Sequence, residues 1–198
     1  RIKILTDKGL DWANVHLTYM SERNAQEINN IEAQTYNLDA SGNIVVTKVE
    51  KKLIYEKKLN KKYTEKVFTF PEVKVGSIIE YKFKHVRIGL IDWYFQRSIP
   101  VKFSRFMIDV PQEIEILTTP YCNGKYEEKS ETKYGRVMQS YTMTNEPAFH
   151  DEPFIINEDY YRDRLETKLI ALPLYGRRES MVIDWLKVIK TLMEDDDF

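Results

Sequence analysis

The chain contains one residue that could act as a thiol nucleophile, Cys122. A catalytic thiol needs a histidine that withdraws its proton and a third group that orients the histidine. The three histidines, His16, His85 and His150, form no local catalytic pattern with it. A single cysteine also excludes an intramolecular disulfide and a cysteine-rich zinc site. Its position before Asn123–Gly124, a dipeptide typical of tight turns, favours a structural or incidental role.

Carboxylates and arginines are concentrated in residues 145–166. The members that could do chemistry are Asp151, Glu152, Glu158, Asp159, Asp163, Arg162 and Arg164. Paired carboxylates can act in acid–base catalysis or hydrolysis. Arginine forks instead bind carboxylates at two points and can fasten a long loop to a sheet edge. We favour this structural network, because no nucleophile-elbow serine and no glycine-rich phosphate loop accompanies it.

Other binding motifs are incomplete. Asp39–Asn43 has the beginning of a calcium loop but lacks the further oxygen ligands, so a hairpin turn is the stronger interpretation. No two histidines have the spacing of a zinc site. Several aromatic residues could stack on sugar rings, although in a β protein they more often pack in the core; they are Trp12, Trp93, Tyr94, Phe95 and the many other tyrosines among the 13 of the chain. The sequence therefore predicts no metal and no cofactor.

The composition is that of a globular protein. The 198 residues are 42% hydrophobic and 31% charged, with 30 Lys and Arg against 31 Asp and Glu. A net charge of −1 gives no basic footprint for nucleic acid and no attraction to acidic membranes. No apolar run reaches the roughly 18 residues that a transmembrane helix needs.

Alternating apolar and polar residues dominate the chain, as in Val15–Tyr19, Ile79–Lys84, Val137–Met143 and Leu165–Ala171. Turn residues separate these runs, notably at Asp39–Asn43, Val75–Ser77 and Asn123–Gly124. Period-two alternation at short spacing predicts a mainly β fold, an antiparallel sandwich of about ten or more strands. Beyond Asp184, the apolar residues of 185–193 fall on one helical face. We therefore expect a β domain over residues 1–175 and a linker with a C-terminal helix over 176–198.

Several segments, in this order, resemble one known family. They are Phe70–Tyr81, Trp93–Val101, Asp109–Pro111, Asn145–Phe154 and Asp159–Arg164. Together they are similar to the bacterial domain of unknown function 3857, over about residues 10 to 172. That family is common in Bacteroidetes and typically precedes a transglutaminase-like domain, often behind a signal peptide.

The resemblance implies an accessory β-sandwich in the periplasm or at the cell surface, and a chain that is a piece of a longer, transglutaminase- or cysteine-peptidase-like protein. We expect no catalysis by this chain alone, and its partner would be the adjacent domain of the same polypeptide. A glycan- or peptide-binding module is the alternative. The predicted docking surface comprises Phe149, Asp151, Glu152, Phe154, Asp159, Tyr160, Arg162 and Arg164.

Overall fold

A computed structural model describes residues 1–150 and 157–181. In this part of the chain all strand pairs are antiparallel, which confirms the mainly β class. The chain divides into two compact units, Arg1–Ile88 and Gly89–Phe198. Each unit contains one four-stranded and one three-stranded sheet. Hydrophobic periodicity does not mark this division, because the alternation continues through both units.

The first unit, unit 1, has seven of the described strands. They are β1 (Ile2–Lys3), β2 (Asn14–Met20), β3 (Gln26–Leu38), β4 (Ile44–Lys48), β5 (Tyr55–Lys58), β6 (Tyr63–Thr69) and β7 (Ile78–Arg87). One sheet has the order β1-β7-β3-β4 and the other β2-β6-β5. Three short 3-10 helices connect them, at Asp7–Ala13, Glu22–Asn24 and Lys51–Leu53.

The two sheets of unit 1 pack face to face. Val15 of β2 and Phe68 of β6 share one buried cluster with Ala33 of β3 and Ile79 of β7. Phe68 packs edge-on against Phe70, with 5.7 Å between ring centroids. Alternation places these residues on the inner faces, since successive side chains of a strand point to opposite sides. Burying each large side chain contributes about 1.5–3 kcal/mol relative to exposure.

The second unit, unit 2, has the other seven described strands and the 3-10 helix Glu158–Tyr160. They are β8 (Trp93–Tyr94), β9 (Val101–Pro111), β10 (Glu115–Tyr121), β11 (Tyr126–Lys133), β12 (Arg136–Glu146), β13 (Arg164–Leu174) and β14 (Arg177–Ser180). One sheet has the order β11-β12-β9, and the other has the order β10-β13-β14 with β8 also paired to β13.

The core of unit 2 lies between these two sheets. Tyr141 and Met143 of β12 pack with Phe95 and with Leu165 of β13, and each is at most 1% exposed. The Tyr141 hydroxyl lies 2.7 Å from the Thr118 hydroxyl, so its polar end is satisfied inside the core. A buried aromatic with such a partner fixes the register of β12 as well as filling volume.

Turn chemistry determines which strands become neighbours. Tyr134 and Gly135 have φ of 52° and 71° and form the tight hairpin between β11 and β12. Tyr175 and Gly176 have φ of 50° and 75° and join β13 to β14. The second hairpin lies within residues 176–198, for which the sequence predicts a linker and a helix. Residues 177–180 of this range form a strand of the sheet instead. The predicted hairpin at Asp39–Asn43 is confirmed as the β3–β4 connection.

The predicted C-terminal helix after Asp184 lies outside the described residues. None of the helices in residues 1–150 and 157–181 has the length and apolar character that crossing a lipid bilayer requires.

We expect Leu165→Ala to destabilise the chain by about 2–5 kcal/mol, because it leaves a cavity in a fully buried site. Leu165 is 0% exposed, whereas Leu53 is 51% exposed and provides a matched control. Leu53→Ala should change the free energy of unfolding by about 0.5 kcal/mol or less. Urea unfolding followed by circular dichroism measures both. Equal effects of the two substitutions would contradict the described core.

Candidate functional site

The structure describes five of the eight residues predicted for the docking surface: Phe149, Asp159, Tyr160, Arg162 and Arg164. Asp151, Glu152 and Phe154 lie outside the described residues, so their part in the surface stays a prediction. The five described residues lie around the segment 157–164, which enters β13. Two arginines organise this segment, and each does so in a different way.

Arg162 holds the 3-10 helix Glu158–Tyr160. Its guanidinium forms an ion pair with Glu158 and lies 3.8 Å from Asp159 Oδ1. The same group lies 5.1 Å from the centroid of the Phe149 ring, in a cation–π contact. Asn157 begins the turn, since its side-chain oxygen accepts a 3.0 Å hydrogen bond from Asp159 N. Arg162 thus connects Phe149 to the acidic helix, as the arginine–carboxylate pattern predicts.

Arg164 is buried, with 6% of its surface exposed. Its guanidinium donates to Glu166 Oε1 at 2.9 Å and to Tyr160 O at 3.1 Å. It also lies 4.3 Å from the centroid of the Tyr121 ring. A buried charge with a carboxylate, a carbonyl and an aromatic face around it is fully engaged within the protein. Arg164 therefore positions the exposed Tyr160 and contacts little solvent itself.

A pair of buried carboxyl groups lies next to Arg164. Glu146 at the end of β12 is 7% exposed and Asp163 is 4% exposed. Both carboxyl groups lie beside Gly124, where a Cβ would be 3.2 Å from Glu146 Oε1 and 3.4 Å from Asp163 Oδ2. Asp163 also accepts from Asn123 N at 2.9 Å and from Gly124 N at 3.3 Å. Burial first, and then the neighbouring Asp163, raises the pKa of Glu146, so Glu146 takes up a proton more readily than an ordinary glutamate.

The dipeptide Asn123–Gly124 differs from its prediction. Neither residue has positive φ, and β10 and β11 on its two sides belong to different sheets, so the predicted hairpin turn is wrong. The dipeptide instead offers two backbone N–H groups to Asp163. A Cβ on Gly124 would lie 3.0 Å from Met143 Cε and 3.2 Å from Glu146 Oε1. Glycine is needed here for close approach, not for a left-handed backbone.

The surroundings of Cys122 are those of a structural thiol. Its Sγ lies 3.6 Å from Arg164 O, and its side chain packs against the core of unit 2. Burial, followed by the charges of Asp163 and Glu146, raises the pKa of Cys122 to about 11. A catalytic cysteine has the opposite shift, because the thiolate is the nucleophile. At neutral pH this thiol is therefore protonated.

Two of the histidines have local partners within unit 1. His16 Nδ1 lies 3.0 Å from Glu65 Oε2, and His85 Nε2 lies 3.2 Å from Gln26 Oε1. His150 is exposed. Among residues 1–150 and 157–181, no three His, Cys, Asp or Glu side chains gather closely enough to hold a metal ion.

The aromatic residues considered for sugar stacking differ in exposure. Phe95 is 1% exposed, and Trp93 stacks on Phe106 with its indole N–H donating to Ser104 Oγ at 3.0 Å. Tyr94 is half-buried, while Trp12 in unit 1 is 39% exposed. Phe95 and Trp93 therefore contribute to packing in unit 2, which weakens the glycan-binding alternative for these two residues.

Asp39 likewise serves its hairpin. Its Oδ1 accepts from Ser41 N at 2.8 Å and from Asn43 N at 2.9 Å. These bonds, the backbone of Asn43 foremost, lower the pKa of Asp39. The carboxylate is occupied by the turn, in agreement with the hairpin interpretation.

Sequence reasoning missed the contact between Glu146 and Asp163. Asp163 was identified as a carboxylate of the network, but its partner lies 17 positions earlier on another sheet. Glu146 ends an alternating strand and looks like an ordinary solvent-facing residue. No local pattern in the sequence marks the pair, because Gly124, Glu146 and Asp163 come together only in the folded chain.

We predict that Glu146→Gln stabilises the chain at pH 8 by about 1–2 kcal/mol, since an amide donates to Asp163 without needing a proton. Because the pKa of Glu146 is raised on folding, its contribution to stability is complete below the ordinary value of 4.5 and is lost as pH rises through the folded pKa. The difference between variant and wild type should therefore shrink as pH falls toward 4.5. Thermal unfolding of both proteins between pH 4.5 and pH 8 measures this difference in stability.

The matched control is Asp163→Asn. It removes one of the two carboxylate oxygens that accept N–H groups of Asn123 and Gly124. We expect a loss of about 1–3 kcal/mol, because a buried donor loses its acceptor. Equal stabilisation by the two substitutions would show that the proton is not held by Glu146.

Comparison with known proteins places this fold. A family model described as a domain of unknown function with solved structure, DUF3857, matches residues 1–150. A crystal structure from Parabacteroides distasonis, described as a "putative protease", is similar with a TM-score of 0.67 and 18% sequence identity. The match covers 82% of this chain and 34% of that chain, so this chain spans about a third of its length. None of the curated proteins matches this chain.

The family model covers most of the chain, including both sheets of unit 1 and the strands of unit 2 through β12. The chain therefore belongs to the DUF3857 family.

Proposed function

We propose that this chain is a non-catalytic accessory domain of a larger, exported protein with a transglutaminase-like or cysteine-peptidase-like catalytic part. The observation that carries the proposal is the extent of the structural match. A similar fold occupies 34% of a longer chain that is described as a "putative protease". A fold that forms a minor part of such a chain is suited to supporting a separate catalytic domain.

The chemistry of unit 2 supports this role. Its thiol is protonated at neutral pH, and its buried carboxyl groups are used by Asn123, Gly124 and each other. General acid–base catalysis needs groups that reach a substrate. Glu146 and Asp163 are 7% and 4% exposed, and Asp163 binds the backbone of Asn123 and Gly124 instead. These groups stabilise the scaffold.

The surface around Tyr160 is the part we assign to docking against the adjacent domain of the same polypeptide. Tyr160 is 72% exposed and Tyr161 59% exposed. Exposed tyrosines on a fixed backbone lose little conformational freedom on binding, and tyrosine is enriched at interfaces. Arg162 and Arg164 supply that fixed backbone. An exported parent would function in the periplasm or at the cell surface.

The first test is the parent open reading frame. A signal peptide upstream and a Cys, His and Asp catalytic set of the transglutaminase type downstream would support the proposal. A stop codon directly after Phe198 would overturn it, because no domain would remain for this chain to assist.

The docking surface has its own test. We expect Tyr160→Ala together with Arg162→Ala to weaken association between this chain and the separately expressed downstream domain by about tenfold or more, as removal of an interface hot spot does. Isothermal titration calorimetry measures the affinity. Tyr134→Ala is the control, because Tyr134 is 92% exposed at the β11–β12 hairpin.

An equal loss in both variants, or no loss in either, would rule out this surface. Hydrolysis by the chain alone, abolished by Asp151→Ala with Glu152→Ala, would refute the non-catalytic role. Retention of docking competence with no turnover fits an accessory domain.

A further inference from the structure

The edge strand β4 of unit 1 exposes a run of apolar side chains and carries one charged residue, Lys48. The edges β5, β11 and β14 hold two or more charged residues, among them Glu56–Lys58, Glu127–Lys129 and Arg177–Glu179. Charges on an edge discourage pairing with further strands. β4 instead presents Ile44, Val45 and Val46, which are 69%, 42% and 45% exposed. Such an apolar edge favours the addition of a strand.

The backbone of β4 has a defined open side. Asp39 N donates to Asn43 O and Val49 N donates to Ala33 O, which places the odd-numbered residues of β4 in the bonded pairs with β3. In an antiparallel ladder the bonded and non-bonded pairs alternate. The N–H and C=O groups of Ile44, Val46 and Lys48 therefore point away from β3. Because β4 ends its sheet within residues 1–150 and 157–181, these groups lie along an edge that no described strand covers.

The side chains of Ile44, Val46 and Lys48 lie on one face of the sheet, because they are alternate residues of β4. They form an apolar strip with one charged end. Ile44 and Val46 lie opposite Leu38 and Tyr36 of β3, respectively. A cleft of about 330 Å³ adjoins Ile44 and Leu38, with Lys3 on its rim. Lys48 ends the strip, and it is exposed. An added strand would meet two apolar positions followed by a positive charge.

Charge indicates which partner fits. Residues 1–88 contain 16 Lys and Arg but 11 Asp and Glu, a net charge of +5 within a chain whose total is −1. A positive surface attracts and orients acidic segments. Opposite charges facing each other across a strand pair stabilise the pairing, whereas like charges oppose it. The complementary segment thus carries a carboxylate opposite Lys48.

We propose that β4 binds an extended segment of a partner protein as a fifth, antiparallel strand, with apolar residues opposite Val46 and Ile44 and a carboxylate opposite Lys48. Read from its N-terminus, the segment has the pattern acidic–x–apolar–x–apolar. Main-chain hydrogen bonds supply affinity in this mode, and alternate side chains supply selectivity. The site lies in unit 1 and does not involve the docking surface around Tyr160, so either can fail alone.

The test uses the full chain and a fluorescein-labelled, amidated peptide, Thr-Glu-Thr-Val-Thr-Ile-Thr, with fluorescence polarisation as the readout. Saturable binding is expected. Val46→Pro removes the outward N–H without removing a β3–β4 bond, and should weaken binding by about tenfold or more. Lys58→Pro is the matched control: Leu59 N bonds Tyr63 O, so the Lys58 N–H points to the open side of β5. Lys58→Pro should change the dissociation constant of the peptide by about twofold or less, because β5 is not the proposed binding edge.

A charge exchange provides a second measurement that does not depend on how Val46→Pro folds. Lys48→Glu should prefer a peptide with lysine in place of glutamate by about two- to fivefold, and wild type should show the reverse preference. Absence of saturable binding, equal losses in the two proline variants, or no exchange of preference would each overturn the proposal. So would a wild-type dimer in sedimentation that Val46→Pro converts to monomer, because a second copy would then occupy the edge.

Discussion

Asp163 is the residue on which the arrangement of unit 2 depends most. Its carboxylate accepts the backbone N–H groups of Asn123 and Gly124, while its own carbonyl accepts from Phe95 N at 2.9 Å. One buried residue thereby joins the segment after β8, the β10–β11 connection and the start of β13. A carboxylate that receives two backbone donors is inexpensive to bury only while those donors remain in place. Loss of the Asp163 contacts would leave the backbone N–H groups of Phe95, Asn123 and Gly124 without these acceptors.

The neighbouring positions follow from this centre. Arg164 directly follows Asp163 and is also buried, with Glu166, Tyr160 O and the Tyr121 ring around its charge. Burial and the neighbouring Asp163 raise the pKa of Glu146, because a second ionised carboxylate in a buried site is costly. Cys122 lies beside both carboxyl groups and is kept neutral by the same surroundings. One structural requirement thus accounts for the raised pKa of Glu146 and of Cys122, and neither shift needs a catalytic explanation.

Local pattern predicted the parts of this fold that depend on local chemistry. Alternation in Val15–Tyr19 and Leu165–Ala171 gave strands that the structure contains, because a half-buried strand requires that period. Asp39–Asn43 was predicted correctly, since its hairpin depends on hydrogen bonds within the turn. Asn123–Gly124 was not, because the carboxylate of Asp163, which is distant in sequence, accepts both backbone N–H groups of the dipeptide.

The charge argument from sequence was limited in a similar way. A total of −1 conceals an excess of +5 in residues 1–88 and of −6 in residues 89–198, where 14 Lys and Arg face 20 Asp and Glu. Net charge excludes partners only for a surface on which the charges mix. Here residues 1–88 and 89–198 carry net charges of opposite sign, so the total describes neither unit.

The two proposed interaction surfaces differ in what makes them specific. Around Tyr160, the buried Arg164 and the partly exposed ion pairs of Arg162 fix a loop before any partner arrives, so recognition depends on the shape of that loop and costs little ordering. Along β4, the unpaired backbone of Ile44, Val46 and Lys48 would accept many extended chains, and only the side chains opposite these residues distinguish them. The first arrangement suits a permanent neighbour in the same polypeptide. The second suits a segment that binds and leaves, because an exposed edge can be filled or vacated without disturbing the buried core of Phe68 and Ile79.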